Sequence, residues 1–132
     1  MSHGPDTELA ISAIQDGGGY IHLKNLNITS LPLMPDNTLT LMVTDTQINQ
    51  ISTFPSNLIE LHLAGQSLSE IGSLPEGLHT LTIYNTQVRS LPPLPTSLQR
   101  LSIVNCPITD LPHVSDFCSV NFGRNKISKE NN

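Results

Sequence analysis

Residues 91–112 read LPPLPTSLQRLSIVNCPITDLP. Displaced by twenty residues, nearly the same skeleton recurs: Leu78, Leu81, Ile83, Val88, Leu91 and Leu94 are answered by Leu98, Leu101, Ile103, Ile108, Leu111 and Val114. A fixed period this short marks a solenoid, a stack of small units none of which can bury its apolar face alone. Upstream, the same places hold Leu58, Leu61, Leu63, Leu68, Ile71 and Leu74, and before them Leu41, Val43, Ile48, Ile51 and Phe54. Ile21, Leu23, Ile28, Leu31 and Met34 make a degenerate first unit. Phe117, Val120, Phe122 and Ile127 make a last one that arrives a residue early. The register thus predicts six rungs over 20–127, a non-repeating cap over 1–19 and a polar tail over 128–132.

Within a unit, the alternation Leu61, x, Leu63 is strand periodicity, with the intervening side chains facing out. The prolines do the opposite. The run 91–95, LPPLP, cannot be helix, because proline removes a donor and pushes the residue before it toward extended backbone. A polyproline-like return path on the convex side is therefore expected. The fold class that follows is a solenoid, nominally α/β but mostly β, with a parallel concave sheet and a short N-terminal capping helix. That helix would start at Asp6 or Thr7, place Leu9, Ala10, Ala13 and Ile14 on one face, and end at the glycines 17–19.

Composition narrows the function classes. The 132-residue chain fits one domain, its core built from branched aliphatics because aromatics make up only 4%. A net charge of −5 argues against general nucleic-acid binding, which needs a basic stripe. The charge is also uneven: residues 1–76 hold eight acids against one base, and 77–132 hold three acids against five bases. No apolar run approaches the ~18 residues of a membrane helix and no cleavable leader is read, so the expectation is a protein cytoplasmic where it is made, without membrane insertion.

The ninth position of each unit, where the chain leaves the strand, holds Thr46, Gln66, Thr86, Cys106 and Asn125, with Leu26 in the first rung. Small polar side chains there can form an inward hydrogen-bonding ladder that satisfies turn amides; glutamine fits it least obviously. Cys106 is then structural. Cys118, in the next strand's approach, is out of disulfide reach of it, so both are expected to be free thiols.

The combination of LPxLP with LxxLxI/V in 91–103, and more loosely in 71–83 and 31–43, resembles the LPX-type bacterial leucine-rich repeats of the YopM and IpaH effectors. Twenty residues is the short end of the leucine-rich repeat range, too short for a helix on the back. The resemblance covers about residues 21–127. It implies a right-handed curved solenoid, recognition of host proteins, bacterial origin, and secretion into a host cell without a cleavable signal peptide. It departs from the family in a reduced N-terminal cap and in lacking the C-terminal ubiquitin-ligase domain, so ligase activity is not carried over.

Strand alternation orders the concave face into columns. The first is Tyr20, Thr40, Glu60, Thr80, Arg100 and Ser119; the central one is His22, Met42, His62, Thr82, Ser102 and Asn121. The third is Lys24, Thr44, Ala64, Tyr84, Val104 and Gly123, with Asn25, Asp45, Asn85, Asn105 and Arg124 just beyond. Tyrosine and arginine are frequent binding hot spots. The favoured patch is therefore Thr80, Thr82, Tyr84, Arg100, Ser102 and Val104, with Tyr20, His22, Glu60, His62, Asn121 and Arg124 as further partner-binding candidates.

His22, Met42 and His62 in one column invite a soft-metal hypothesis, but His22 and His62 lie two strands apart, ~10 Å, while a metal wants its nitrogens ~2 Å away. No catalytic constellation, cofactor site or metal site is read. The expected function is a non-enzymatic protein–protein interaction module. The alternatives are an inhibitor or immunity-type protein that blocks an enzyme and, from a different class, a hydrolase or metal-dependent enzyme using the histidine column. The last strand leaves unpaired amides, so a homodimer through the C-terminal edge is a further expectation.

Overall fold

The computed structural model describes residues 19–25, 28–29, 31, 34–108, 114 and 118–123. Eight strands run in chain order: β1 (Tyr20–Lys24), β2 (Thr40–Thr44), β3 (Gln50–Ile51), β4 (Glu60–Ala64), β5 (Glu70–Ile71), β6 (Thr80–Tyr84), β7 (Arg100–Val104) and β8 (Ser119–Gly123). Six of them form one parallel sheet in the order β1-β2-β4-β6-β7-β8. Every pairing joins residues twenty apart, Leu41 with Leu61 and Leu61 with Leu81, until β8, where Leu101 meets Val120 after nineteen. The early arrival of the last rung is thus a register fact. No helix occurs among the described residues; the expected capping helix lies outside them.

Period-two burial fixes which side of the sheet is core. Ile21, Leu23, Leu41, Leu61, Leu63, Leu81, Ile83 and Ile103 are sealed from solvent, and Ile28, Ile48, Leu58, Leu78, Val88 and Ile108 join them from the turns and return legs. Each such aliphatic side chain contributes roughly 1.5–3 kcal/mol by leaving water. Because identical positions stack on identical positions, the core is a set of aliphatic columns, and each rung depends on its neighbours for closure.

The backbone between strands is satisfied by repetition as well. At the start of β4, β6 and β7 two successive amides share one carbonyl of the preceding rung: Ile59 N and Glu60 N donate to Leu39 O, His79 N and Thr80 N to Ile59 O, and Gln99 N and Arg100 N to His79 O. Before β2, β4, β6 and β7, the amide of Thr38, Leu58, Leu78 or Leu98 donates to the carbonyl of Pro35, Pro55, Pro75 or Pro95 respectively, closing a β-turn. The proline at this place in each of the four repeats therefore opens a turn, and the residue three places on returns the chain to the sheet.

Side chains tie these turns together. Asn57 Nδ2 donates to Asp36 O at 2.9 Å, and Ser97 Oγ lies 2.6 Å from Glu76 O and 2.8 Å from Leu78 O. Gly77 holds the same place one rung earlier, with open space where a Cβ would go and no positive φ. Gly77→Ser is expected to stabilise the chain by about 0.5–1.5 kcal/mol, through an added bond to the preceding turn and a less flexible unfolded chain. A urea midpoint equal to or below that of the parent would rule this out.

The return legs depart from a uniformly polyproline-like path. β3 and β5 pair in parallel as a second, two-stranded sheet, Gln50 with Glu70 and Ile51 with Ile71, and Gly72 N adds a bond to Ile51 O at 2.7 Å. The position of Gly72 is proline in the next rung, Pro92, which has no N–H to donate. This second sheet therefore forms where the legs lack that proline and stops where it returns.

The ninth-position ladder is present in part. Thr46, Thr86 and Cys106 are buried; Thr46 Oγ1 accepts from Ile48 N and Thr86 Oγ1 from Val88 N, each at 3.3 Å, and Cys106 Sγ lies 3.2 Å from Thr86 Oγ1. Gln66 is the exception. It is exposed and donates to Asn85 O at 3.0 Å, while Gln87 Nε2 donates to its Oε1 at 2.7 Å. In that rung Leu68 N donates to Gly65 O, so a turn replaces the side-chain acceptor that threonine supplies elsewhere. Leu26 and Asn125 lie outside the described residues. Both cysteines are free thiols, and burial pushes that of Cys118 above its usual range.

Candidate functional site

The face of the six-stranded sheet opposite the core carries the three expected columns in register. Tyr20, Thr40, Glu60, Thr80, Arg100 and Ser119 are successive partners, as are His22, Met42, His62, Thr82, Ser102 and Asn121, and then Lys24, Thr44, Ala64, Tyr84, Val104 and Gly123. Six strands at ~4.8 Å spacing make this face about 24 Å wide. The favoured patch lies on β6 and β7: Arg100 is exposed, and Thr80, Thr82, Tyr84, Ser102 and Val104 are half-buried, as expected of side chains standing side by side on a sheet.

Few of these side chains hold one another. Tyr20 is 53% exposed, and its hydroxyl donates to Met42 Sδ at 3.3 Å, crossing diagonally from the first column to the central one. Glu60 Oε1 lies 3.5 Å from His62 Nε2, a loose contact at an exposed site that adds little stability. Asn121 Nδ2 donates to Ser102 Oγ at 3.4 Å. His22 is half-buried, and its Nε2 is enclosed without a partner. His79 stands exposed just before β6, outside the columns, while Arg124, His3 and His113 lie outside the described residues.

The residues just past the strands have a role in the turn. Asn25, Asp45, Asn85 and Asn105 all take left-handed backbone, with φ from 55° to 58°, and Gly65 replaces them at φ 134°. Asparagine and aspartate tolerate that conformation better than other side-chain-bearing residues, so this column is set by the turn. Asn105 Nδ2 donates to Asn85 Oδ1 at 2.7 Å, which extends the ladder through side chains.

Two apolar residues were not among the candidates. Leu39 and Ile59 stand one position before β2 and β4 and are 45% and 38% exposed, on the rim beside Tyr20 and Glu60. His79 and Gln99 fill the same position on later rungs, so the rim changes from apolar to polar along the stack. Comparing that single position across units would have found it.

Hollows of about 340 and 400 Å³ lie off the sheet face, one among Leu31, Met34, Phe54 and Pro55 and one among Gln66, Gln87, Arg89 and Pro107. Among the described residues no three His, Cys, Asp or Glu side chains are grouped closely enough to hold a metal ion, and no helix is long and apolar enough to cross a membrane.

A parallel in-register sheet, a twenty-residue turn and proline-ended return legs define a leucine-rich repeat solenoid, an architecture whose extended sheet face suits protein binding. The solved structures it is similar to include YopM from Yersinia enterocolitica WA-314, with a TM-score of 0.86 and 24% identity over 98% of this chain and 30% of that one. A Shigella effector leucine-rich repeat domain matches with a TM-score of 0.63 and 25% identity over 97% of this chain and 70% of that one. The fold is thus that of bacterial effector repeat proteins, and the chain spans less than a third of the length of the Yersinia protein. No family model and no curated protein matches the sequence.

Proposed function

We propose that the chain is a non-enzymatic binding module that takes a partner protein on the concave face of its six-stranded sheet. The observation that carries this reading is the register itself. It lines up Tyr20, Tyr84, Arg100 and short polar side chains on one continuous face. Rigid aromatics and an arginine supply contact energy at low entropy cost, while threonines and serines between them fit hydrogen bonds. The similarity in fold to bacterial effectors favours a partner outside the producing cell, reached by export. Detection of the tagged chain inside infected host cells, and its loss in an export-deficient strain, tests that route.

The β6–β7 patch is the part of the face to test first. Affinity capture with the parent chain and with a Tyr84→Ala/Arg100→Glu double variant is expected to recover a stoichiometric protein with the parent and to lose it with the variant, since two hot-spot side chains worth about 2 kcal/mol each weaken the complex roughly a thousandfold. Equal recovery by both proteins, each shown folded by its circular dichroism, would remove the patch from the binding surface.

A further inference from the structure

The two ends of the stack are not closed alike. The core column that runs Ile21, Leu41, Leu61, Leu81, Leu101 and Val120 is sealed from its first residue to Leu101, yet Val120 is 39% exposed. Leu23, the other inward residue of β1, is sealed as well, whereas Phe122 at the same place on β8 is only half-buried.

The backbone of β8 is open on the same side. Ser119 N donates to Gln99 O at 2.8 Å, which turns the N–H and C=O groups of Ser119 and Asn121 toward β7. Those of Val120 and Phe122 therefore point away from the sheet. No strand follows β8 there among the described residues, and neither residue has a further hydrogen-bond partner. Native edge strands are commonly guarded by a charge, a proline or a bulge. The strand Ser119–Gly123 reads SVNFG, pairs regularly with β7 and carries none of the three.

The same strand reversed fits this edge. In an antiparallel pair centred on Asn121, Val120 lies opposite Phe122 of the other copy and Ser119 opposite Gly123, the one alignment of β8 with itself that overlaps all 5 residues. Val120 and Phe122 then exchange both N–H···O bonds across the edge. Their side chains meet on the core side, a β-branched residue against an aromatic, which is a favourable cross-strand pair. The nearest described cation, Arg100, would stand about 19 Å from its own copy, beyond the ~8–10 Å over which salt leaves charges in contact. The other end offers β8 no equivalent: Ile21 and Leu23 are already covered in the single chain, so head-to-tail growth lacks an open column and a closed two-fold pair is left.

We propose that β8 pairs with β8 of a second copy of this chain, antiparallel about a two-fold axis at Asn121, so that Phe122 of each copy covers the exposed Val120 of the other. The axis stands perpendicular to the sheet. Both concave faces then look the same way and join into one surface that carries two β6–β7 patches. The pairing itself is independent of what that surface binds.

Sedimentation velocity of the full chain from about 10 µM to about 1 mM should show monomer passing into dimer, as expected of a small, transient interface. Val120→Pro removes an outward N–H and no hydrogen bond within the chain, and Val120→Lys sets a charge on the edge. Each should weaken the dimer roughly tenfold or more with the circular dichroism of the parent retained. The register is tested by cross-linking in a Cys118→Ser background, where Cys106 is buried. Asn121→Cys should close a disulfide between copies on mild oxidation, its Cα atoms lying ~4.5 Å apart, and Ser119→Cys should not, its two copies standing about 14 Å apart. A chain that stays monomeric at about 1 mM overturns the proposal, whether β8 is then bare or takes a strand of another protein. A dimer that both Val120 variants leave intact overturns it too, as does cross-linking through Ser119 in place of Asn121. Partner capture with the Tyr84→Ala/Arg100→Glu protein reads the concave face separately, so either reading can fail alone.

Discussion

Leu81→Ala is expected to lower the unfolding free energy by about 2–5 kcal/mol, a large part of the ~5–15 kcal/mol that a domain of this kind has in total. Leu81 is sealed from solvent in β6, near the middle of the sheet, and its register partners are Leu61 and Leu101 on the rungs to either side. Truncation removes apolar contact from both neighbours at once, and a tightly stacked column cannot slide to fill the gap. The position within the stack matters as much as the burial. In a one-dimensional array each rung is held by the interfaces on its two sides, so weakening a central rung lets the ends unfold separately.

Urea unfolding of Leu81→Ala should show a lower midpoint and a broader transition. Val120→Ala makes the comparison. Val120 occupies the same column on β8 but is 39% exposed, so its truncation should cost about 1 kcal/mol or less. Equal costs for the two substitutions would mean that the core column is no more closed at its centre than at its end.

Gly72→Ala is the second large effect, expected to cost about 2–4 kcal/mol by adding an overpacking strain to the loss of a backbone hydrogen bond. A Cβ at Gly72 would run into the carbonyl oxygen of Ser52, with the Ser52 carbonyl carbon at 2.9 Å and its Cα at 3.2 Å. Those are backbone atoms of the adjacent return leg and have no rotamer to turn aside. Gly72 N also donates to Ile51 O at 2.7 Å, so relief of the clash pulls apart the pairing of β3 with β5. The φ of Gly72 is not left-handed, which makes the cost one of close approach between legs. Amide exchange at Gly72 should accelerate in the variant together with the fall in stability. Wild-type stability in Gly72→Ala would show that the legs separate freely.

These two residues also show how differently sequence and structure speak. Leu81 is legible from spacing alone: one position in a twenty-residue period, alternating with Thr80 and Thr82, has to be inward and has to meet Leu61 and Leu101. The same translation ordered the outer columns, which is why Tyr84 and Arg100 fall on adjacent strands where the reading put them. Gly72 carried no such signal. It is one of eight glycines, at a place that Pro32 and Pro92 hold on other rungs, and only the approach of Ser52 gives it a reason. Gln66 was read as an awkward member of the inward ladder. Its neighbour Gly65, at φ 134°, lets the chain turn so that Gln66 points out and Leu68 N finds a carbonyl instead.

The sequence by itself determined the period, the parallel register, the aliphatic columns and the list of side chains on each face. All of these follow from translation along a repeat, a one-dimensional property that spacing records in full. The tertiary structure decided what depends on distance between rungs: which return legs pair, which turn residues are held at positive φ, which apolar side chains remain on the rim, and which polar atoms are enclosed without a partner. Thr44 belongs to this second group. In the sequence it is one more threonine on an outward position. Packed against its neighbours, it is the one of the four buried threonines whose hydroxyl is enclosed without a hydrogen-bond partner.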